Sequence, residues 1–275
     1  CRSWNAARKR NGSAKNRQRP VRRRRTSETE SEALAGPLEQ FEIKPIVEIT
    51  VSGLDLSFTN SALWMVIAAG TVTALLLAGT RRRSMVPNRI QAFGEMLYNA
   101  VAGMVRENAG SDGRPYFPFV FTLFVFVLFG NVMGLIPGSF TFTSHIIVTF
   151  ALAAFIFIAV TLIGFIKNGS GYLSLFLPAG LPVYIAPIVL PIEIVSYLSR
   201  PVSLSVRLFA NMTVGHVILK IIAGFVITLG VVGGIFPLVF LIAIYALELL
   251  VAVVQAYVFA ILTCIYLADA LHPHH

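Results

Sequence analysis

Two long apolar stretches near the C-terminus carry Glu193, Arg200, Arg207, Asn211, His216 and Lys220 on the first, and Glu248, Gln255 and Asp269 on the second. A charged side chain inside a membrane segment costs about 2.5 kcal/mol or more, so each is a functional candidate. The types sort by what they can do with a proton. Histidine and carboxylates can exchange protons near neutral pH, whereas a guanidinium effectively cannot. If the stretches are antiparallel helices joined at Gly230-Val231-Val232-Gly233-Gly234, a turn near Val231 sets Arg207 opposite Gln255, His216 opposite Glu248 and Glu193 opposite Asp269. By helical rise, His216 and Glu248 lie about 10–14 Å from Arg207 on one side, and Glu193 and Asp269 about 21 Å away on the other. Two titratable clusters then flank a permanent cation. Such a ladder admits protons from each side and is blocked in the middle.

Each residue also has a plainer reading. Arg207 could pair with a carboxylate to hold helices together, and His216 and Glu248 could form a structural pair. Asn211 and Gln255 could be interhelical amide contacts, and Asn131 a local cap. Arg200 and Lys220 read as snorkelling interface charges. Asp269 could be solvated near the C-terminus, and Glu193, after Pro191, a helix-start carboxylate.

The elements that must position these groups are legible from hydropathy. A first span covers about 61–79 and ends at Arg81-Arg82-Arg83, which assigns the following loop to the cytoplasm by the positive-inside rule. Over 88–107, Ile90, Phe93, Leu97, Val101 and Met104 recur at helical spacing against Arg89, Glu95, Asn99 and Arg106, the pattern of a helix lying on the surface. Further spans run over 117–136 and 145–166, and Gly and Pro break 169–191 into an interfacial or re-entrant stretch. The last two helices, about 193–229 and 236–271, are each roughly 54 Å long. A bilayer core is about 30 Å thick, so they must tilt steeply. The expected fold class is an all-α integral membrane protein: about five transmembrane helices and one amphipathic surface helix, the last two helices forming a long, steeply tilted hairpin.

Composition agrees. The chain is 56% hydrophobic and 13% charged, with mean hydropathy +0.76; a soluble domain carries about 25% charged residues. The net charge of +9 belongs to the N-terminal tail, where residues 1–28 hold eleven Lys/Arg against Glu28. The remainder has 11 bases and 12 acids. The organisation expected is a basic disordered tail (1–35), a soluble lead-in with strand-like runs (36–60), a membrane domain (61–271) and a short C-terminal tail (272–275). The basic tail has no apolar core and is no signal peptide. Opening on Cys1, it reads as a processing remnant or an upstream extension. It shows no aromatic interleaving beyond Trp4, so a nucleic-acid partner is not expected. Cys1 and Cys264 imply neither a disulfide framework nor a zinc site, and no cofactor is expected. Gly-x-Ser-x-Gly, His-Glu-x-x-His and the Gly-rich Lys-Ser/Thr nucleotide loop are all absent. A secondary ion-coupled membrane transporter is the rival reading, with Arg207 binding an anion, but it would usually show an internal repeat with matching broken helices, and neither is found.

The run from Pro191 to His216, Pro-Ile-Glu-Ile-Val-Ser-Tyr-Leu-Ser-Arg-Pro-Val-Ser-Leu-Ser-Val-Arg-Leu-Phe-Ala-Asn-Met-Thr-Val-Gly-His, closely resembles the signature of subunit a of F-type ATP synthases. The stretches 87–104, 129–137 and 255–263 resemble the same family, and the likeness covers about 36–271. It implies a proton-translocating stator subunit, non-catalytic by itself, beside a rotating c-subunit ring. Peripheral-stalk b subunits, the other ATP synthase subunits and the lipid bilayer are the further partners implied. The resemblance makes Arg207 the essential arginine facing the ring. It puts Glu193 and Ser196 in the cytoplasmic half-channel, and the equal-depth pairing adds Asp269 beside Glu193. Asn211, His216, Glu248 and Gln255 match positions associated with the arginine and the opposite half-channel, and Asn131 matches a polar position lining that inlet. One departure is visible: many relatives carry a carboxylate where His216 stands and a histidine where Glu248 stands. The membrane implied is an energy-coupling one, the bacterial inner membrane first and the mitochondrial inner membrane as the alternative.

Overall fold

A long apolar segment in a bilayer must satisfy its own backbone, and a helix does so without a partner. The computed structural model describes residues 43, 45–47, 50–51, 54–55, 57–81, 87–136, 138–169, 171–172 and 186–272, and these are dominated by helix. Helix α1 covers Asn60–Arg81, α2 Arg89–Ala109, α3 Phe117–Gly134, α4 Ile146–Asn168 and α5 Ala186–Thr228. The single turn α6, Gly230–Gly233, leads into α7, Ile235–Leu271. Helices α1, α3, α4, α5 and α7 are long and apolar enough to cross a membrane. With α2 they make the expected five spans and one amphipathic helix. Before α1, β1 (Pro45–Val47) pairs antiparallel with β4 (Phe58–Thr59), and β2 (Thr50–Val51) with β3 (Leu54–Asp55). The basic tail lies outside the described residues.

Helix α2 starts where Asn88 accepts a 2.7 Å bond from the Arg89 amide, and stops at Gly110 with φ +63°. Leu97, Val101, Met104, Val105 and Ala109 are buried along one side, while Arg89, Glu95, Asn99 and Arg106 are exposed. Pro115, in the 3-10 turn Arg114–Tyr116, and Pro118, in the first turn of α3, occupy positions where a missing N–H leaves no bond unmade.

The centre of the bundle is α7, which packs against α2, α3, α4 and α5. Ala252, Ala256, Ala260 and Cys264 recur every four residues along it and are all fully buried. Such a column of small side chains lets neighbouring backbones approach closely, which is how helices associate where lipid removes the hydrophobic drive.

Two expectations about α5 are corrected. The helix begins at Ala186, not Glu193, and runs through both Pro191 and Pro201. Proline removes one backbone bond and kinks a helix, costing about 3 kcal/mol. In an apolar medium the alternative is to leave several backbone groups unsatisfied, so the helix persists. Residues 186–191 are therefore helical and not part of a broken stretch; 170 and 173–185 lie outside the described residues. At 43 residues, α5 is about 64 Å long.

Candidate functional site

The polar residues singled out above divide by depth along α5 and α7, with Arg207 between two groups. Arg207 is exposed on α5 between Ser203, Val206 and Val214, which are also exposed. It forms no ion pair or hydrogen bond with another described residue. One turn further on, Asn211 Nδ2 donates to Gln255 Oε1 at 2.8 Å and ties α5 to α7. Gln255 therefore has Asn211 as its partner, where equal depth paired it with Arg207.

Beyond this amide pair lies a buried group. His216 is 9% exposed, Glu248 6%, Gln255 3% and Asn131 0%. The Glu248 carboxyl lies against the α5 backbone at Gly215, in the space that a Cβ there would occupy. This puts Glu248 level with His216, the next residue. Asn131 does not cap α3: its Nδ2 donates to Ala252 O on α7 at 3.3 Å. His216 Nε2 lies 3.0 Å from Thr141 Oγ1, and that hydroxyl also bonds Gly134 O at 2.9 Å. With its single proton given to the carbonyl, the Thr141 oxygen is left to accept from His216 Nε2–H. Thr141 can come this close to α3 because residue 134 is glycine; a Cβ there would lie 2.6 Å from the threonine methyl. Three buried polar atoms, Glu248 Oε1, Gln255 Nε2 and Asn131 Oδ1, have no hydrogen-bond partner among the described residues. Most buried polar atoms are hydrogen-bonded, so these three are exceptions gathered around α7.

The second group sits toward the other ends of α5 and α7. Arg200 Nη1 bonds Asp269 Oδ2 at 2.8 Å, with the guanidinium over the rings of Tyr197 (5.5 Å) and Tyr266 (5.2 Å). The Tyr197 hydroxyl contacts Thr161 Oγ1 at 2.6 Å and Tyr172 OH at 2.7 Å. Burial, then the bond to Tyr197, push the Tyr172 phenol above its ordinary range, so it stays a hydroxyl. Glu193 is half-buried and Ser196 exposed; Glu193 has no partner among the described residues. Here the depth pairing is corrected: Asp269 is held by Arg200, not set against Glu193. Two facing carboxylates would repel, whereas an arginine two turns further along α5 has the reach to neutralise one of them. Arg200 is accordingly a paired residue and no snorkelling charge.

The residues that sequence reasoning missed are Gly215, which seats Glu248, and Thr141, which holds His216. Gly215 has a signal in hindsight, since the antiparallel register sets it beside Glu248. Thr141 has none, lying in a connection where no periodicity applies.

The sequence pattern of the ATP synthase A chain family matches residues 62–268. The chain is 57% identical over 238 residues to ATP synthase subunit a of Rhodospirillum rubrum, covering 86% of this chain and 99% of the relative. To the subunit a of Pelagibacter ubique it is 55% identical over 240 residues, 87% of this chain and 98% of the relative. To that of Paramagnetospirillum magneticum it is 52% identical over 247 residues, 88% and 100%. Matched by the family pattern from the first spanning helix to the last, and sharing over half its aligned residues with these three proteins, the chain belongs to the ATP synthase A chain family.

Proposed function

We propose that this chain is the proton-translocating stator subunit of an F-type ATP synthase, offering two offset half-channels to a ring of c subunits, with Arg207 separating them. The observation that carries the reading is the position of Arg207: an exposed guanidinium with no partner among the described residues, between a buried His216/Glu248/Asn131 group and the Glu193/Ser196/Asp269 end. A proton enters on the His216/Glu248 side and neutralises a carboxylate of the ring. The neutral acid can then face lipid, where the ionised form would be expensive. After nearly a full rotation it reaches the Glu193/Ser196/Asp269 side and ionises. Arg207 stabilises the ionised acid by Coulomb attraction, lowering its pKa, and its fixed charge blocks a direct leak. Each proton delivers about 2.3 kcal/mol per 100 mV. Asn211 and Gln255 hold the α5 and α7 backbones together beside the arginine.

On this reading the chain performs no ATP chemistry; that resides in partner subunits, with peripheral-stalk b subunits holding the stator. The place is an energy-coupling membrane, the bacterial inner membrane on this reading, since the relatives above come from bacteria. Arg207→Ala is expected to abolish ATP-driven proton pumping in inverted vesicles that retain the assembled complex. Normal pumping by that variant would refute the proposal.

A further inference from the structure

A cavity of about 630 Å³ lies where α2 ends and α3 begins, and its lining is divided by chemistry. On one side stand Arg106 and Arg114, with Ser111; on the other stand Tyr98, Val105 and Phe117. No carboxylate lines it among the described residues. Neither arginine forms an ion pair with another described residue. Two acids stand near these arginines in sequence: Glu107, next to Arg106, is exposed and not among the residues lining the cavity, and Asp112 is engaged elsewhere, 3.7 Å from Lys167 Nζ and 3.3 Å from His272 Nε2. Those contacts also fix the level of the cavity. They gather the last turn of α4, the end of α7 and the loop before α3, so three spanning segments reach the membrane boundary at this point. The apolar wall is an aromatic cluster: the Tyr98 ring lies 4.7 Å from Phe117 and 6.4 Å from Phe121.

We propose that this cavity binds the headgroup of an anionic phospholipid, its phosphate between Arg106 and Arg114 and its upper acyl chain against Tyr98, Val105 and Phe117. Two guanidinium groups with no ion-pair partner among the described residues are unbalanced charge at a membrane surface, and basic pockets beside spanning helices are suited to anionic headgroups. A free phosphate would satisfy the arginines but leave the aromatic wall without an occupant. The inference does not rest on the proton-path reading.

The test uses the assembled complex reconstituted in vesicles containing phosphatidylglycerol or phosphatidylcholine, each bearing a photoactivatable acyl chain at equal mole fraction. Label on the peptide spanning 98–117 is expected to be about tenfold higher with phosphatidylglycerol. Arg106→Gln with Arg114→Gln should remove that preference, while Arg106→Lys with Arg114→Lys keeps most of it. ATP hydrolysis by each complex reports assembly, and the preference in the unaltered complex is readable without any variant. Excess inorganic phosphate should leave the labelling unchanged. Equal labelling by the two lipids, a preference that survives the double glutamine change, displacement by inorganic phosphate, or a peptide that neither lipid reaches because a partner subunit covers it would each overturn the proposal.

Discussion

Gly215→Ala tests the seat of Glu248 directly. A β-carbon at 215 would fall on the carboxyl carbon and both oxygens of Glu248. Helix propensity alone favours alanine by about 1 kcal/mol over glycine in a helix interior, so any loss comes from this contact and not from a weakened α5. Overpacking a tight site costs about 1–3 kcal/mol, and Glu248 is only 6% exposed, with little room to withdraw. The relief available is to swing the carboxyl away from its level beside His216. A displacement near 1 Å at a reacting group can lower a rate by about 10²-fold. Proton pumping is therefore expected to fall roughly 10- to 100-fold at unchanged amounts of assembled complex. The assay is ATP-driven quenching of a pH-gradient dye in inverted vesicles, normalised to subunit content. Glu248→Asp, one methylene shorter, should restore part of the pumping lost in the Gly215→Ala background, giving a coupling energy in a double-mutant cycle. Unaltered pumping by Gly215→Ala, or strictly additive effects of the two changes, would show that the carboxyl is not held by this contact.

Thr141→Val keeps the shape of the side chain and removes its bonds to His216 Nε2 and Gly134 O. Losing such a bond is worth about 1 kcal/mol, so passive proton conduction through vesicles stripped of the soluble subunits should slow by about fivefold, and Thr141→Ser should conduct normally. Arg200→Gln leaves the Asp269 carboxylate without its cation. A hydrogen bond to a charged group contributes about 1.5–3 kcal/mol, so the solubilised complex should unfold at lower temperature. Adding Asp269→Asn should recover part of the loss, because an orphaned charge is worse than no charge.

The five spans and α2 are legible because bilayer thickness converts apolar length directly into helices, and charged or Gly/Pro ends mark their limits. The start of α5 is not, because Pro191 carries a strong local signal that the medium overrides. Within the site, antiparallel register alone brings His216 level with Glu248, since both lie on regular helices. The same register misses Arg200–Asp269 because it treats side chains as points, while a long arginine side chain reaches well beyond the level of its own Cα. It also misses the step from Arg207 to Asn211 in finding the partner of Gln255. Thr141 and Gly134 escape for a different reason. Their roles depend on how the connection between α3 and α4 folds back on α3, and alternation or helical spacing carries no information there.

The unequal treatment of charges along α5 bears on how a stator could work. Arg200 is tied to Asp269, and His216 to Thr141, both within the chain. Arg207 has no such tie among the described residues, although it stands on the same helix beside exposed Ser203, Val206 and Val214. An unpartnered guanidinium at the centre of a membrane costs about 2.5–3.5 kcal/mol, a standing cost that tertiary packing could have removed with one carboxylate on α7. A carboxylate about 4 Å away at an effective dielectric of 20 returns about 4 kcal/mol, enough to lower that acid's pKa by about three units. An attraction of that size ionises an arriving acid, and protonation of the acid removes it again. A partner within the chain would occupy the arginine permanently and leave an arriving carboxyl with no reason to give up its proton. On the proposed reading, an Arg207 with no partner among the described residues is what an exchange with a moving partner requires, and an in-chain ion pair at this depth is incompatible with that exchange.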